Sequence, residues 1–266
     1  IGVNNSAFGS YALLNNTTGN QNTAVGYQSL KANTTGICNV AVGKDASFSS
    51  TFGSYNSVFG YQSMYNNVTG VNNSAFGYRA LLNNTTSNNS AFGFRSLFNN
   101  TIGTSNAAFG KDSLFSNTTG STNSAFGKDA LKYNTIGISN SGFGYRSLYA
   151  NTTGVSNSAF GLYALRNNTI GTHNAAFGRA ALQSNLTGLN NSAFGNYALL
   201  NNNGGSRNSA FGREALYSNS TSDNSAFGYR ALYSNTTGIY NSAVGRGALE
   251  FNTIGINNNA FGVNAL

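Results

Sequence analysis

Residues 224–238 read NSAFGYRALYSNTTG. Residues 157–171 read NSAFGLYALRNNTIG, and residues 123–137 read NSAFGKDALKYNTIG. The same theme recurs along all 266 residues. Its Gly falls at Gly9, Gly26, Gly43, Gly60, Gly77, Gly93, Gly110, Gly127, Gly144, Gly161, Gly178, Gly195, Gly212, Gly228, Gly245 and Gly262. The spacing is 17 in thirteen of the fifteen intervals and 16 in the other two. Both short intervals arise at polar turns, Ser87-Asn88-Asn89 and Ser222-Asp223-Asn224, where a surface loop tolerates a deletion. A fixed short period is the mark of a solenoid or stacked array. No linker or shift of composition interrupts it, so residues 1–266 are expected to form a single repeat array. The chain opens on Ile1-Gly2, which matches Ile136-Gly137 inside another copy, and stops within a copy at Ala265-Leu266. A segment of a longer protein is therefore expected.

Counting from the Gly as zero separates restricted columns from drifting ones. Asn recurs at −4 and Ala at −2, the exceptions at −2 being Val58 and Gly142. Phe or Val stands at −1, and Ala or Ser at +3. Leu holds +4 except at Ser47 and Met64, and Asn holds +7 except at Ser50. Columns +1, +2, +5, +11 and +12 drift. The short Asn-Ser-Ala-Phe run, ended by Gly, predicts a strand of about four residues. The next segment is open to two readings. Restricted residues at 0, +3, +4 and +7 have helical spacing, yet a second strand with Ala out and Leu in also fits. A helix is about 10 Å across whereas strands stack at about 4.8 Å, so a straight array favours strands or tight turns. The expected fold is all-β: a parallel β-solenoid of about sixteen 17-residue coils, with a short helical turn per coil as the variant. At about 4.8 Å per coil, sixteen straight coils would span on the order of 75 Å.

In the copy at 224–238, Ala226 and Ala231 let backbone approach backbone, and Phe227 and Leu232 are expected to fill the space between. Burying two large side chains cannot offset the backbone entropy of ordering a whole coil. One coil therefore cannot fold alone, and stacking must supply ladder hydrogen bonds and cover both open faces. The Asn at +7 suggests a side-chain amide ladder running from coil to coil. The alternative is glycosylation. Asn16, Asn33, Asn67, Asn84, Asn117, Asn151, Asn185, Asn219 and Asn235 all open Asn-x-Ser/Thr sequons, although any chain rich in Asn, Ser and Thr makes sequons by chance.

Composition narrows the function. Charged residues are only 8%, with no Pro, no Trp and one Cys, Cys38. Regularly spaced aromatics at 13% argue against disorder. A lone Cys excludes an intrachain disulfide framework. No run approaches the ~20 apolar residues of a membrane span, and no basic start with an apolar run marks a signal peptide. No membrane insertion of this segment is expected. The single His173 and Cys38 lie eight coils apart at variable +12 positions, so no Cys/His pair or metal site is expected. Four of the six acids, Asp45, Asp112, Asp129 and Glu214, directly follow Lys or Arg. Nothing pairs carboxylates in a cleft as glycoside hydrolysis needs, and no glycine opens a phosphate loop. Neither enzyme nor cofactor is expected.

The net charge is +8, and ten of the fourteen Lys/Arg stand at +1 or +2. Stacking would line Arg79, Arg95, Lys111, Lys128, Arg146, Arg179, Arg213 and Arg230 along one edge. The plain reading is a solvated face; the functional one is a weak groove for polyanions such as surface polysaccharide or nucleic acid. Interleaved acids argue against specific nucleic-acid binding. Column +5 carries Leu14, Phe48, Tyr65, Leu82, Phe98, Phe115, Tyr149, Leu200, Tyr217 and Tyr233, a half-exposed stripe that suits a lateral seam between chains. Paired Thr at +8 and +9, as in Thr17-Thr18, Thr34-Thr35 and Thr236-Thr237, suggests an ice-binding array, though Ile stands at +9 at 102, 136, 170 and 254. A repeat lectin holding sugar between coils is a further reading.

Asn-Ser-Ala-Phe-Gly, with Asn-Thr-Ala-Val-Gly at 22–26, resembles the head repeats of trimeric autotransporter adhesins. The Asn-Thr-Thr-Gly runs are similar to those of bacteriophage tail-fibre and giant-virus surface-fibre proteins. The resemblance runs the whole length, through one short motif. It implies a left-handed parallel β-roll, three chains side by side, on an extracellular, cell or virion surface, binding a host receptor or surface polysaccharide. Here the coil is longer, Phe replaces the aliphatic residue before the Gly, and no neck, stalk or anchor is present in the segment.

Overall fold

The computed structural model describes residues 2–266; Ile1 lies outside them. Sixteen three-residue strands follow one another, one per repeat, with no helix among the described residues. The chain divides into two compact units, residues 1–136 and 137–266. In the first, β1 (Ser6–Phe8), β2 (Thr23–Val25), β3 (Val40–Val42), β4 (Ser57–Phe59), β5 (Ser74–Phe76), β6 (Ser90–Phe92), β7 (Ala107–Phe109) and β8 (Ser124–Phe126) stack in chain order. In the second, β9 (Ser141–Phe143), β10 (Ser158–Phe160), β11 (Ala175–Phe177), β12 (Ser192–Phe194), β13 (Ser209–Phe211), β14 (Ser225–Phe227), β15 (Ser242–Val244) and β16 (Asn259–Phe261) do the same. Pairing is parallel and in register: Ala7 faces Ala24, and Ala159 faces Ala176. The 16-residue intervals keep that register, with Ser74 opposite Ser90 and Ser209 opposite Ser225. Each deleted residue is thus absorbed in the turn, and the expected parallel β-solenoid is the observed fold.

The segment after the Gly is neither helix nor strand. It is a series of turns in which every second residue is left-handed: Arg230 at φ 56° and Leu232 at φ 52°, with Tyr240 at φ 58° later in the coil. A helix needs consecutive right-handed residues, so this alternation forbids one. The backbone bonds run to the neighbouring coil instead. Leu232 N–H donates to Ala248 C=O at 2.9 Å, and Ser234 N–H to Glu250 C=O at 3.0 Å. A left-handed non-glycine residue costs about 1–2 kcal/mol, which the stacked neighbour must offset. The Gly itself is needed. Gly43 sits at φ 133°, and a Cβ there would stand 2.7 Å from the carbonyl oxygen of Gly60 in the next coil.

The core is narrow. Ala226, Ala231 and Leu232 are fully buried, but Phe227 is 41% exposed. The expectation that Phe fills the interior is therefore corrected. A strand turns successive side chains to opposite faces, so an inward Ala226 sends Ser225 and Phe227 outward. Two Asn columns complete the interior. At −4, Asn191 N–H and Nδ2 both donate to Asn174 Oδ1, and Nδ2 also reaches Gly205 C=O. At +7, Asn185 Nδ2 donates to Asn168 Oδ1 at 2.9 Å and to Gly188 C=O at 3.1 Å. Where +3 is Ser, the hydroxyl finds a carbonyl: Ser29 Oγ donates to Ala41 C=O at 2.8 Å.

Candidate interaction surfaces

The sequon asparagines are the first predicted sites to place. Asn33, Asn67, Asn84, Asn117, Asn151, Asn185, Asn219 and Asn235 are fully buried. Their amides serve the ladder: Asn117 Nδ2 donates to Asn100 Oδ1 at 2.7 Å and to Gly120 C=O at 2.8 Å, and Asn235 Nδ2 donates to Asn219 Oδ1 and Gly238 C=O. Asn16 is half-buried, with Nδ2 on Gly19 C=O. A glycan on the amide nitrogen of a ladder asparagine would take away one of its two hydrogens, and so one of these bonds, and has no room to leave the core. At the eight buried positions the structure speaks against glycosylation, because these side chains build the coil.

The strand face is the most regular surface. Outward Phe side chains form a ring ladder in each unit. Centroids are 4.7 Å apart for Phe59–Phe76, Phe76–Phe92 and Phe92–Phe109, with interplanar angles of 13°, 6° and 6°. In the second unit Phe160–Phe177 and Phe177–Phe194 repeat the 4.7 Å spacing at 6°. This is the strand spacing itself. Rings stacked so closely cover one another's faces and turn their edges to solvent. Sugar stacking and cation–π contacts need an open face, so this ladder offers neither. Flanking it at −3 are Ser, Thr, Ala, Val or Asn, and neither column holds a charged residue in any of the sixteen copies.

The predicted basic edge exists but splits into two columns within each unit. The +1 members Lys111, Lys128, Arg179 and Arg213 are exposed. The +2 members Arg79, Arg95, Arg146 and Arg230 are half-buried and lie against neighbouring side chains. Arg79 Nε donates to Gln62 Oε1 at 2.9 Å. Arg95 grips Asp112 through two bonds of 2.9 and 3.1 Å, and lies 4.9 Å from the rings of both Phe94 and Phe115. Arg146 sits between Tyr145 and Tyr149 at 5.0 and 5.1 Å, and Arg230 bonds Glu250 at 2.8 Å over Tyr233 at 4.1 Å. Lys132 at +5 bridges Asp129 at 2.9 Å and Asp112 at 3.8 Å. The +5 seam is thus continuous with the basic edge. Its aromatics stack in places, as in Phe48–Tyr65 and Tyr217–Tyr233 at 4.9 Å, and elsewhere clamp cations. Internal pairing reduces the charge left for a polyanion.

The threonine arm is engaged as well. Thr17, Thr34 and Thr118 hydroxyls donate to the +8 carbonyl of the next coil at 2.9, 3.2 and 3.1 Å. Phe52 and Ile102, at 55% and 61% exposure, interrupt the +9 column. Spent hydroxyls and bulky interruptions do not make a flat ice-matching array. Cys38 and His173 point to neighbours at the surface, Sγ to Gln21 and Nδ1 to Thr172. Among the described residues no three His, Cys, Asp or Glu side chains could share a metal ion. A hollow lined by Leu249, Phe251, Asn252, Asn258 and Leu266 holds no titratable side chain.

Sequence reasoning placed the Asn ladder and the basic edge but missed the outward Phe ladder. The signal was present: period-two alternation in Ser-Ala-Phe puts Phe opposite an inward Ala, and the uncharged −3 and −1 columns mark one common face. Fold and surface together define a tandem-repeat parallel β-solenoid. Compared with known proteins, the chain matches no protein-family model and no curated protein.

Proposed function

We propose that this chain is a length of non-catalytic structural and adhesive fibre on a cell or virion surface, assembled from several copies. The observation that carries this reading is the uncharged strand face with its commensurate Phe ladder. Phe211 and Phe227 are 37% and 41% exposed. With about 150–250 Å² per ring side chain, seven Phe in the second unit leave on the order of 500 Å² of ring surface in contact with water. That approaches the ~800 Å² each partner contributes to a stable protein interface. A second copy carries the same repeat and the same absence of charge, so contacts made at one rung recur at every rung. The resemblance to trimeric adhesin heads supports three chains. Attachment then falls to the drifting +1, +2 and +5 columns, where exposed Lys111, Lys128, Arg179 and Arg213 favour weak contact with an anionic polysaccharide. Analytical ultracentrifugation tests the reading: a defined oligomer is expected, and a compact monomer at high concentration overturns it.

A further inference from the structure

One rung departs from both interior columns at once. In the third coil, positions +4 and +7 are Ser47 and Ser50 in place of Leu and Asn. Both stay inside, at 1% and 0% exposure. In most coils the +7 amide reaches back to the Oδ1 of the coil before, as Asn33 Nδ2 reaches Asn16 Oδ1 at 2.8 Å and Asn100 Nδ2 reaches Asn84 Oδ1 at 2.7 Å. Ser50 carries no amide, so nothing arrives at Asn33 Oδ1. Among the described residues, Asn33 Oδ1, Ser47 Oγ and Ser50 Oγ are buried side-chain polar atoms without a protein partner. Ser50 N–H donates to Ser47 C=O at 3.3 Å, so one tight turn joins the two serines, and Asn33 lies next to Ser50 in the ladder column.

The neighbouring coil does not restore the lost polarity. Its +4 residue is Met64, fully buried, an unbranched side chain suited to irregular gaps. A thioether cannot satisfy two hydroxyls and a carbonyl oxygen. Buried polar atoms left unpaired cost their full desolvation. Shortening Leu and Asn to Ser removes more side chain than the room one water needs, about 10–15 Å³, and a buried water takes two to four polar partners.

We propose that the third coil holds an internal water bound by Asn33 Oδ1, Ser47 Oγ and Ser50 Oγ, a hydration site built into the core. The water donates one hydrogen to Asn33 Oδ1 and so stands in for the missing Asn amide. Its second hydrogen goes to one serine oxygen, and its own oxygen accepts the hydroxyl of the other. This rung is thereby held together by solvent where the others are held by side chains.

Ser47→Ala and Ser50→Ala decide the matter by the sign of their effect. The readout is native-state hydrogen exchange at the amides of Ser47 and Ser49, which donate to Ser63 C=O and Tyr65 C=O at 2.9 Å each. If the hydroxyls bind water, each alanine removes one of its partners, and exchange speeds up by roughly five- to tenfold. If the hydroxyls are unpaired in a dry core, a methyl group is the better occupant, and exchange slows. Slowed or unchanged exchange overturns the proposal. A crystal structure of the chain provides the second measurement: a water peak within hydrogen-bond distance of at least two of the three atoms is expected, and a dry site overturns it.

Discussion

Leu at +4 and Phe at −1 recur with nearly equal regularity, and they occupy opposite sides of the coil wall. Leu165, Leu182, Leu199 and Leu216 are fully buried, each stacked on the next. The Phe ladder beside them faces out, half-buried, its rings stacked on one another. One column is held by burial inside a single chain. The other is stacked on itself along the outer face, where a partner copy could reach it under the proposed assembly. Repetition therefore reports that a position is constrained, and only its side of the wall reports by what.

Four measurements sharpen or break that contrast. Array proteins seldom unfold in one step, so local hydrogen exchange is the suitable probe alongside denaturant midpoints. The largest effect is expected for Leu165→Ala in the interior column, which leaves a cavity and costs about 2–5 kcal/mol. Exchange should accelerate in the coils on either side, and a surface-like response would break the contrast. Asn185→Ala comes next. It strands Asn168 Oδ1 and Gly188 C=O, now bonded at 2.9 and 3.1 Å, at about 1–3 kcal/mol for a buried group left unpaired. Asn185→Asp should not rescue it, because a carboxylate cannot donate.

Phe177→Ala is expected to behave differently. Losing two stacked contacts should cost the isolated chain only about 0.5–1.5 kcal/mol per ring pair. Association measured by sedimentation should weaken far more than folding does. If folding and association fall together, the Phe column belongs to the core in energetic terms.

The smallest effect is electrostatic. Arg207 grips Asp223 through bonds of 2.7 and 2.8 Å across the shortened turn. The hydrogen bonds from that guanidinium hold the Asp223 carboxyl below the ordinary aspartate range, and the carboxylate raises the Arg207 guanidinium further. A depressed folded-state value means that the clasp stabilises above the unfolded aspartate range. The stabilisation is lost as pH falls through the lowered value; Arg207 stays charged throughout. Arg207 is exposed and Asp223 half-buried at the surface, so salt should screen much of it. Faster exchange is expected only near residues 220–223 at acid pH, and Asp223→Asn should abolish that pH dependence.

Much of the fold was legible in the residues themselves. The period, the number of coils, the strand at Ser-Ala-Phe and the turn that tolerates deletion all follow from spacing. The Asn ladder was legible too, because an amide both donates and accepts and so can bond to its own image one coil away. The basic edge was legible as a column, but not its division into exposed +1 cations and clamped +2 cations. That division follows from backbone handedness, which alternates between right and left after the Gly.

By itself, then, the sequence determined that identical rungs stack in register, since a 17-residue repeat of uniform chemistry can bury little until its copies lie against each other. Tertiary structure alone decided what each rung looks like. Leu232 at φ 52° and Arg230 at φ 56° are ordinary residues in a conformation that none of them prefers. Only the hydrogen bonds and buried leucines of the neighbouring coil offset that cost. The same stacking decided which large side chain went inside: the narrow wall has room for Leu between two Ala columns, and strand alternation then leaves Phe on the surface.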